Sequence, residues 1–467
     1  MRRFELVLVF ACAFALGWPI VFGVRPRRGI VALVLGGALF AQLQFEGFRW
    51  QMIPLYLAAI GLAIGDLIYL ERRLDWSSRL LRLLLGAVGM LLAVALPVAL
   101  PVPELPTPSG PEPIGTFTVD LIDRSRDELW GPPPAGGPRE FVAQVWYPSG
   151  GDVDGAAIPW SEDWEVVAPG IARQMGLPSW FLDHTRYTLS HAESSPPLAA
   201  GTFPVLIYSH DWGGVRTNTL NQIEHLVSNG YIVIAPDHTY GSVATVFEDG
   251  DVAEFDPTGL PDPATVSEEE YGEDATAIVA TFAADIVTIL NELEMGEEGV
   301  FASIASATDL NRIGVYGHGA GGGAAIKVCL EVELCAAVLG MDPWVEPLTQ
   351  RDLQQEMNRP ALYMRSEEWV GTSNDSLLIG IAARGENITY TVAIDDAWHT
   401  DFLMTPLLTP FASQFGLRGP IPAGRVILIT NNYLRGFFDV FLLDTGSAAL
   451  DSVTFEEVNV SVIDRGE

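Results

Sequence analysis

The sequence predicts a mixed α/β fold, a mostly parallel sheet with helices on both faces, preceded by an N-terminal bundle of about four apolar helices. Three observations predict it. Residues 1–103 hold four apolar runs, Phe4–Phe22, Gly29–Phe45, Ile53–Leu70 and Leu80–Val102, each near the ~20 residues that span ~30 Å of hydrocarbon. Beyond residue 115, short continuous apolar runs alternate with helical patterns, as strands buried on both faces do in a parallel sheet. One of those runs, Ile313–Tyr316, passes directly into a glycine cluster and then a helix.

The front of the chain reads as membrane. A signal peptide has one short apolar core and a cleavage site, whereas four runs in series make a bundle. Arg25, Arg27 and Arg28 follow the first run, and Arg72, Arg73, Arg79 and Arg82 flank the junction of the third and fourth. Only Arg49 separates the second and third, and Pro101–Pro113 has no basic residue. Positive charge favours the cytoplasmic side. This count outweighs Arg2 and Arg3 and places the N-terminus and the large C-terminal domain outside. The expected location is the cell membrane, multi-pass, with the C-terminal domain extracytoplasmic. Asp66 is expected at the membrane interface beside Arg72 and Arg73.

The predicted domains are the transmembrane helices at 1–103, a Pro-rich linker at 104–114, an α/β domain at 115–445 and a tail at 446–467. Within the domain, Thr116–Asp123 and Glu140–Tyr147 alternate like antiparallel strands. Gly151–Ala200 is read as an insertion that shapes a substrate mouth. Buried strands follow at Pro204–Ser209, Tyr231–Ala235, Ile313–Tyr316, Ala336–Gly340, Ala361–Met364 and Ile388–Ile394. Helices are expected at Asn218–Ser228, Asp274–Leu293, Gly322–Glu331 and Ile427–Leu443.

Charge and cysteine usage narrow the classes of function. The net charge is −33, yet the first hundred residues hold ten Arg against five acids, and Lys327 is the only lysine. The remainder is therefore strongly acidic. That excludes a footprint for nucleic acid and suits a solvated surface. Cys329 and Cys335 stand close together without a C-x-x-C motif or a His cluster, so no metal is expected. In an oxidising compartment they would form a disulfide; otherwise they are two buried thiols. No cofactor is implied.

The chemistry centres on Gly317-His318-Gly319-Ala320-Gly321-Gly322. A strand, a glycine turn and a helix are the setting of the G-x-S-x-G nucleophile elbow of α/β-hydrolases. Gly319 stands at the nucleophile position, so no side-chain nucleophile is present there. Asp342 lies past the end of the next strand, and His399 lies in a loop after the final one. Their order matches that of acid and base in such a triad. Asp395, Asp396 and Asp401 compete with Asp342 for the acid's role, and Asp342 is preferred for its strand-end place. The oxyanion amides would be those of Ala320 and of Trp212 in the loop Ser209–Gly214, although Trp212 is alternatively a pocket wall. His210 reads as a structural prop for that loop.

Together the motifs Tyr208–Thr217, Gly230–His238, Tyr240–Ala244, Gly317–Gly322, Leu339–Trp344 and Trp398-His399 resemble the platelet-activating-factor acetylhydrolase family and its bacterial carboxylic-ester-hydrolase relatives, over roughly residues 115–443. The resemblance implies an α/β-hydrolase fold and metal-free hydrolysis of short or oxidised sn-2 acyl chains and simple esters. It places the nucleophile at Gly319, the acid at Asp342, the base at His399 and the oxyanion amides at Trp212 and Ala320. Two departures stand out, Gly319 for Ser and Asp211 where the family usually has Gly. The implied partner is a lipid or small ester ligand; the oligomeric state is open. Three functions follow: a pseudoenzyme of lipid catabolism with lost or weak turnover, a weak esterase in which His399 activates water, or a non-catalytic membrane module that binds lipid or protein. On this reading Gly319→Ser alone is expected to restore esterase activity.

Overall fold

The computed structural model describes residues 1–23, 26–68, 76–132, 136–151, 157–446, 450 and 454–463, without the side chains of 76–79 and 82. Arg25, Arg72 and Arg73 lie outside the described residues, as do the side chains of Arg79 and Arg82. The chain divides into two compact units. One comprises Met1–Pro103 with the short segments Asp183–Thr185 and Leu408–Phe411, and the other comprises the rest.

The N-terminal unit consists of α1 (Arg3–Phe22), α2 (Ile30–Phe45), α3 (Ile53–Ile68) and α4 (Trp76–Ala99). By length and composition alone, Arg3–Phe22 and Trp50–Ile68 are apolar enough to cross a membrane, while Ile30–Phe45 and Leu83–Ala99 are shorter apolar helices. The inner seam buries Leu8, Cys12, Leu35, Met52 and Leu55, whereas Phe10, Leu33, Leu57 and Leu91 are exposed. Several charged groups inside this unit are partnered. Glu5 and Arg49, both fully buried, form an ion pair at 2.7 Å. The Glu46 carboxylate accepts from the backbone N–H groups of Phe4 and Glu5 at the start of α1, where the helix dipole favours an anion. Asp66 accepts from the N–H groups of Gly29 and Ala32 at 2.9 and 3.2 Å. It thus caps α2.

The large unit is built on a ten-stranded sheet. In chain order its elements are β1 (Ile114–Asp127), β2 (Pro138–Pro148), α5 (Trp164–Gln174), β3 (Ala192–Ser194), β4 (Phe203–Ser209), α6 (Leu220–Ser228) and β5 (Ile232–Asp237). A two-stranded ribbon, β6 (Ala244–Val246) and β7 (Val252–Glu254), precedes α7 (Glu268–Glu294). Then come β8 (Thr308–His318), α8 (Ala320–Glu331), β9 (Cys335–Met341), α9 (Gln350–Gln354), β10 (Ala361–Ser366), α10 (Ser373–Arg384), β11 (Thr389–Ile394), α11 (Ala423–Leu443) and β12 (Val458–Ile463). The spatial order is β12-β11-β10-β9-β8-β4-β5-β2-β1-β3. Its centre, β11 through β5, is parallel, and β2 and β12 pair antiparallel to it.

Helices cover both faces because side chains alternate along β8. Ile313 and Val315 join the cluster of Ile278 and Phe282 from α7 and Ala324 from α8. A Cβ on Gly314 would lie 2.5 Å from the Phe438 ring of α11, and Tyr316 packs on the same ring. The length and apolarity of α7 and α11 would also suit a membrane, but more than half of each span is buried within the protein. α7 begins six residues before its expected start, with Ser267 accepting from Glu270 N and three Glu in the first turn. Segment 446–467, expected as a tail, carries edge strand β12 beside β11. Cys329, late in α8, and Cys335, opening β9, are disulfide-bonded with their Cα atoms 5.2 Å apart. Cys12 is a buried free thiol.

Candidate active site

The site forms where β4, β8, β9 and β11 end. β8 stops at His318, and Gly319 turns the chain with φ 55° and ψ −120° before α8 begins at Ala320. A side chain is excluded nearby, since a Cβ at Gly321 would lie 2.2 Å from the Ser209 carbonyl oxygen. The sharp strand-to-helix turn of an elbow is therefore built. Its nucleophile is missing.

The loop after β4 fills that seat. β4 and β8 are parallel neighbours with Ser209 opposite Gly317, so Asp211 and Gly319 each stand two residues past a matched pair. The Asp211 carbonyl accepts from Gly214 N–H at 2.8 Å and from His210 Nδ1–H at 2.7 Å. His210 Nε2 accepts from His238 N–H, which fixes the tautomer and makes His210 the prop expected of it. Held this way, the Asp211 side chain reaches over the elbow. A Cβ at Gly319 would lie 2.2 Å from Asp211 Oδ1 and 2.3 Å from its Cγ. The carboxylate occupies the space in which a serine side chain would begin.

Its two oxygens have different partners. Oδ1 accepts from Ala320 N–H at 2.7 Å, the amide assigned to the oxyanion hole. Oδ2 lies 3.2 Å from His399 Nε2. On the other side of the ring, His399 Nδ1 is 3.1 Å from Asp342 Oδ2. Asp342 is fully buried, has φ 42°, and accepts from Ser366 N–H and Oγ–H at 2.7 and 2.6 Å. Of the competing acids, Asp401 accepts from Trp398 and Gly419 N–H, and Asp395 from Asn459. Asp396 donates its own N–H to Glu367. The structure thus brings Gly319, Ala320, Asp342 and His399 together. Trp212 sits in the same loop as Asp211, with its indole in an aromatic cluster with Trp130 and Phe255 at 5.6 and 5.2 Å.

The imidazole of His399 lies between two carboxylates. Burial alone would lower its pKa, but hydrogen bonds and charge from Asp211 and Asp342 raise it to about 10. Burial would raise that of Asp211, yet His399, and to a lesser degree the Ala320 amide, bring it down to about 2. At neutral pH the ring is an imidazolium whose Nε2–H donates to Asp211. His318 is buried and its pKa falls to about 3, so it is neutral and donates Nε2–H to the His399 carbonyl at 2.9 Å. Trp369 stacks on the His399 ring at 5.0 Å and 11°.

Asp211, His318 and His399 each offer a metal-ligand atom, all within 4.8 Å of one another. Ligand atoms ~2.1 Å from one ion are at most about 4.2 Å apart, so this set would have to contract. The hydrogen bonds above already engage the Nε2 atoms of both imidazoles and both Asp211 oxygens. A cleft of about 600 Å³, lined in part by Tyr240, Phe255 and Asp256, contains none of these three residues.

Sequence reasoning treated Asp211 only as a departure in the oxyanion loop, and it did not include Trp369 or Ser366. The available signal was the pair of departures, Asp211 and Gly319, each close behind a predicted strand; their equal offset from the paired residues Ser209 and Gly317 is visible only in the structure.

Fold and site define an α/β-hydrolase, and the comparisons with known proteins narrow the class. The family model described as platelet-activating factor acetylhydrolase, isoform II, matches residues 142–439. The chain belongs to that family. The platelet-activating factor acetylhydrolase of Gallus gallus is 22% identical over 333 residues, covering 64% of this chain and 77% of the relative. That of Cavia porcellus is 21% identical over 267 residues, covering 54% and 60%. Among solved structures, a ferulic acid esterase from Streptomyces cinnamoneus superposes with a TM-score of 0.62 at 24% identity, over 77% of this chain and 99% of its own. That last likeness bears on the fold.

Proposed function

We propose that this protein is a membrane-anchored member of the family in which the serine acyl-enzyme route is closed, leaving turnover of ordinary carboxylic esters lost or weak. The single observation that carries this reading is the Asp211 carboxylate, seated at Gly319 and bonded to both Ala320 N–H and His399 Nε2. Gly319 offers no atom to attack a carbonyl. The Ala320 amide already holds an anion, so an ester carbonyl must displace it to use that donor. The alternative in which His399 activates water is disfavoured, because a general base needs a free Nε2 lone pair and this one carries a proton donated to Asp211.

The ligand on this reading is a lipid or small ester of the family's kind, held without turnover beside Trp369. The exposed apolar faces of α1 to α4 support anchoring in a membrane, and the Cys329–Cys335 disulfide agrees with an extracytoplasmic domain. A purely protein-binding module is the remaining alternative. A fluorophosphonate probe and p-nitrophenyl butyrate, applied to the detergent-solubilised full chain, test the core claim. Neither labelling nor ester hydrolysis above background is expected. Labelling of any pocket residue would overturn it. Protease access to residues 115–463 in intact cells tests the orientation, and cleavage only after lysis would reverse it.

A further inference from the structure

The displaced carboxylate is not merely an obstruction. One oxygen rests on a backbone amide, the other faces an imidazole, and the imidazole is oriented by a second, buried carboxylate. The Asp211 and His399 side chains are 30% and 23% exposed, enough for a small molecule to reach them. We propose that Asp211 is a carboxylate nucleophile that displaces a leaving group from a saturated carbon, the substrates being epoxides or alkyl halides. This inference rests on the reading that the serine route is closed.

The chemistry selects the substrate class. Attack of a carboxylate on an ordinary ester carbonyl gives a tetrahedral adduct that expels the carboxylate again, because it is a far better leaving group than an alkoxide. Attack on a saturated carbon gives a stable alkyl ester. In the first half-reaction, Asp211 Oδ2 forms a bond to the carbon while the C–O bond of the ring or the C–halogen bond breaks on the far side. The halide departs with its electron pair, and an alkoxide takes a proton from solvent. Asp211 is then an uncharged ester, and His399 has lost one of its two carboxylate partners. It releases its Nε2 proton to solvent and becomes a base.

In the second half-reaction, His399 Nε2 takes a proton from water as the oxygen adds to Asp211 Cγ. The oxyanion forms on Oδ1, which already accepts from Ala320 N–H at 2.7 Å, so the donor needs no rearrangement. Collapse expels the alcohol, which takes its proton from His399. The new carboxyl proton passes to His399 and restores the starting pair. One water is consumed. A halide substrate gives alcohol, halide and a proton, and an epoxide gives a diol.

The test uses the full chain in detergent, with styrene oxide and 1-bromobutane as separate probes in H₂¹⁸O. With enzyme in excess, the first alcohol formed should carry unlabelled oxygen, and the peptide containing Asp211 should gain ¹⁸O. The probe that is turned over identifies the leaving group. His399→Gln should slow the second half by about 10²–10⁴-fold, the range for general-base catalysis, so that the alkylated Asp211 peptide accumulates. Asp211→Ala should abolish both labels. Turnover that places solvent oxygen in the product but none in Asp211 overturns the proposal, and so does the absence of both turnover and adduct with either probe. The wild-type isotope result does not depend on the folding of any variant. The serine-route reading fails separately, only through fluorophosphonate labelling or ester hydrolysis.

Discussion

Two neighbouring loops leave the ends of parallel strands in register, and they divide one task between them. The loop after β8 keeps the backbone of an elbow, with its glycine turn, its helix and the Ala320 amide, but has no reactive side chain. The loop after β4 would ordinarily contribute backbone, yet it carries the carboxylate that faces the base. Asp211 and Gly319 follow the paired residues Ser209 and Gly317 by the same offset. On the reading proposed above, a reactive group is exchanged from one strand end to the next while its place in space barely moves. The exchange is coupled in both directions. The carboxylate fits only above a glycine, and a glycine there leaves room that the carboxylate fills.

The strongest way to break this comparison is to reverse the exchange. Gly319→Ser alone should leave ester hydrolysis at background, contrary to the expectation from sequence, because its Cβ would meet Asp211 Oδ1 at 2.2 Å in a backbone with φ 55°. Asp211→Gly with Gly319→Ser should raise kcat on p-nitrophenyl butyrate by several orders of magnitude, since a complete triad contributes about 10⁶-fold. Equal activity of the single and double variants would show that the two loops are not coupled.

A smaller effect probes the elbow's backbone. Gly321→Ala would set a Cβ against the rigid Ser209 carbonyl, and overpacking of this kind costs about 1–3 kcal/mol. Chemical denaturation should show that loss, and an unchanged midpoint would mean the two loops are less tightly apposed. At the far end of the elbow helix, Cys329→Ser with Cys335→Ser opens a short covalent loop. Loop-closure entropy predicts a loss of about 2 kcal/mol, read in the same experiment under non-reducing conditions.

A further effect is electrostatic. The pKa of His399 is raised to about 10 from its ordinary 6.5. The stability it contributes is full below about pH 6.5 and is lost as pH rises through about 10. Asp211, lowered to about 2 from 3.8, contributes stability above about pH 3.8 that is lost as pH falls through about 2. Thermal stability of the wild type should thus decline between pH 6.5 and 10, and the decline should be shallower in Asp211→Ala. NMR titration should find the His399 pKa lowered in that variant. A value still near 10 would mean that Asp342 alone holds the proton.

Local pattern made much of this legible in the sequence. Buried strands and a strand–glycine–helix junction are local patterns that need no tertiary information, so the sheet and the elbow could be named in advance, while Asp342 and His399 were singled out by motif order alone. The start of α7 was hidden because Glu268, Glu269 and Glu270 look like a polar loop, although acids in a first turn favour the helix dipole. β12 was hidden because an exposed edge strand buries little and shows weak alternation. Asp66 accepts from the N–H groups of Gly29 and Ala32 at the start of α2, a cap that no local pattern announced, while the arginines expected beside it, Arg72 and Arg73, lie outside the described residues.

The sequence by itself determined the α/β-hydrolase frame and the absence of a side-chain nucleophile at Gly319, since a glycine's missing atoms are missing in any conformation. Only the tertiary structure decided what stands in its place. Asp211 and Gly319 lie 108 positions apart, and nothing local relates them. It is the parallel pairing of β4 with β8, and the pinning of the Asp211 carbonyl by Gly214 and His210, that bring the carboxylate within hydrogen-bonding distance of Ala320 N–H and His399 Nε2.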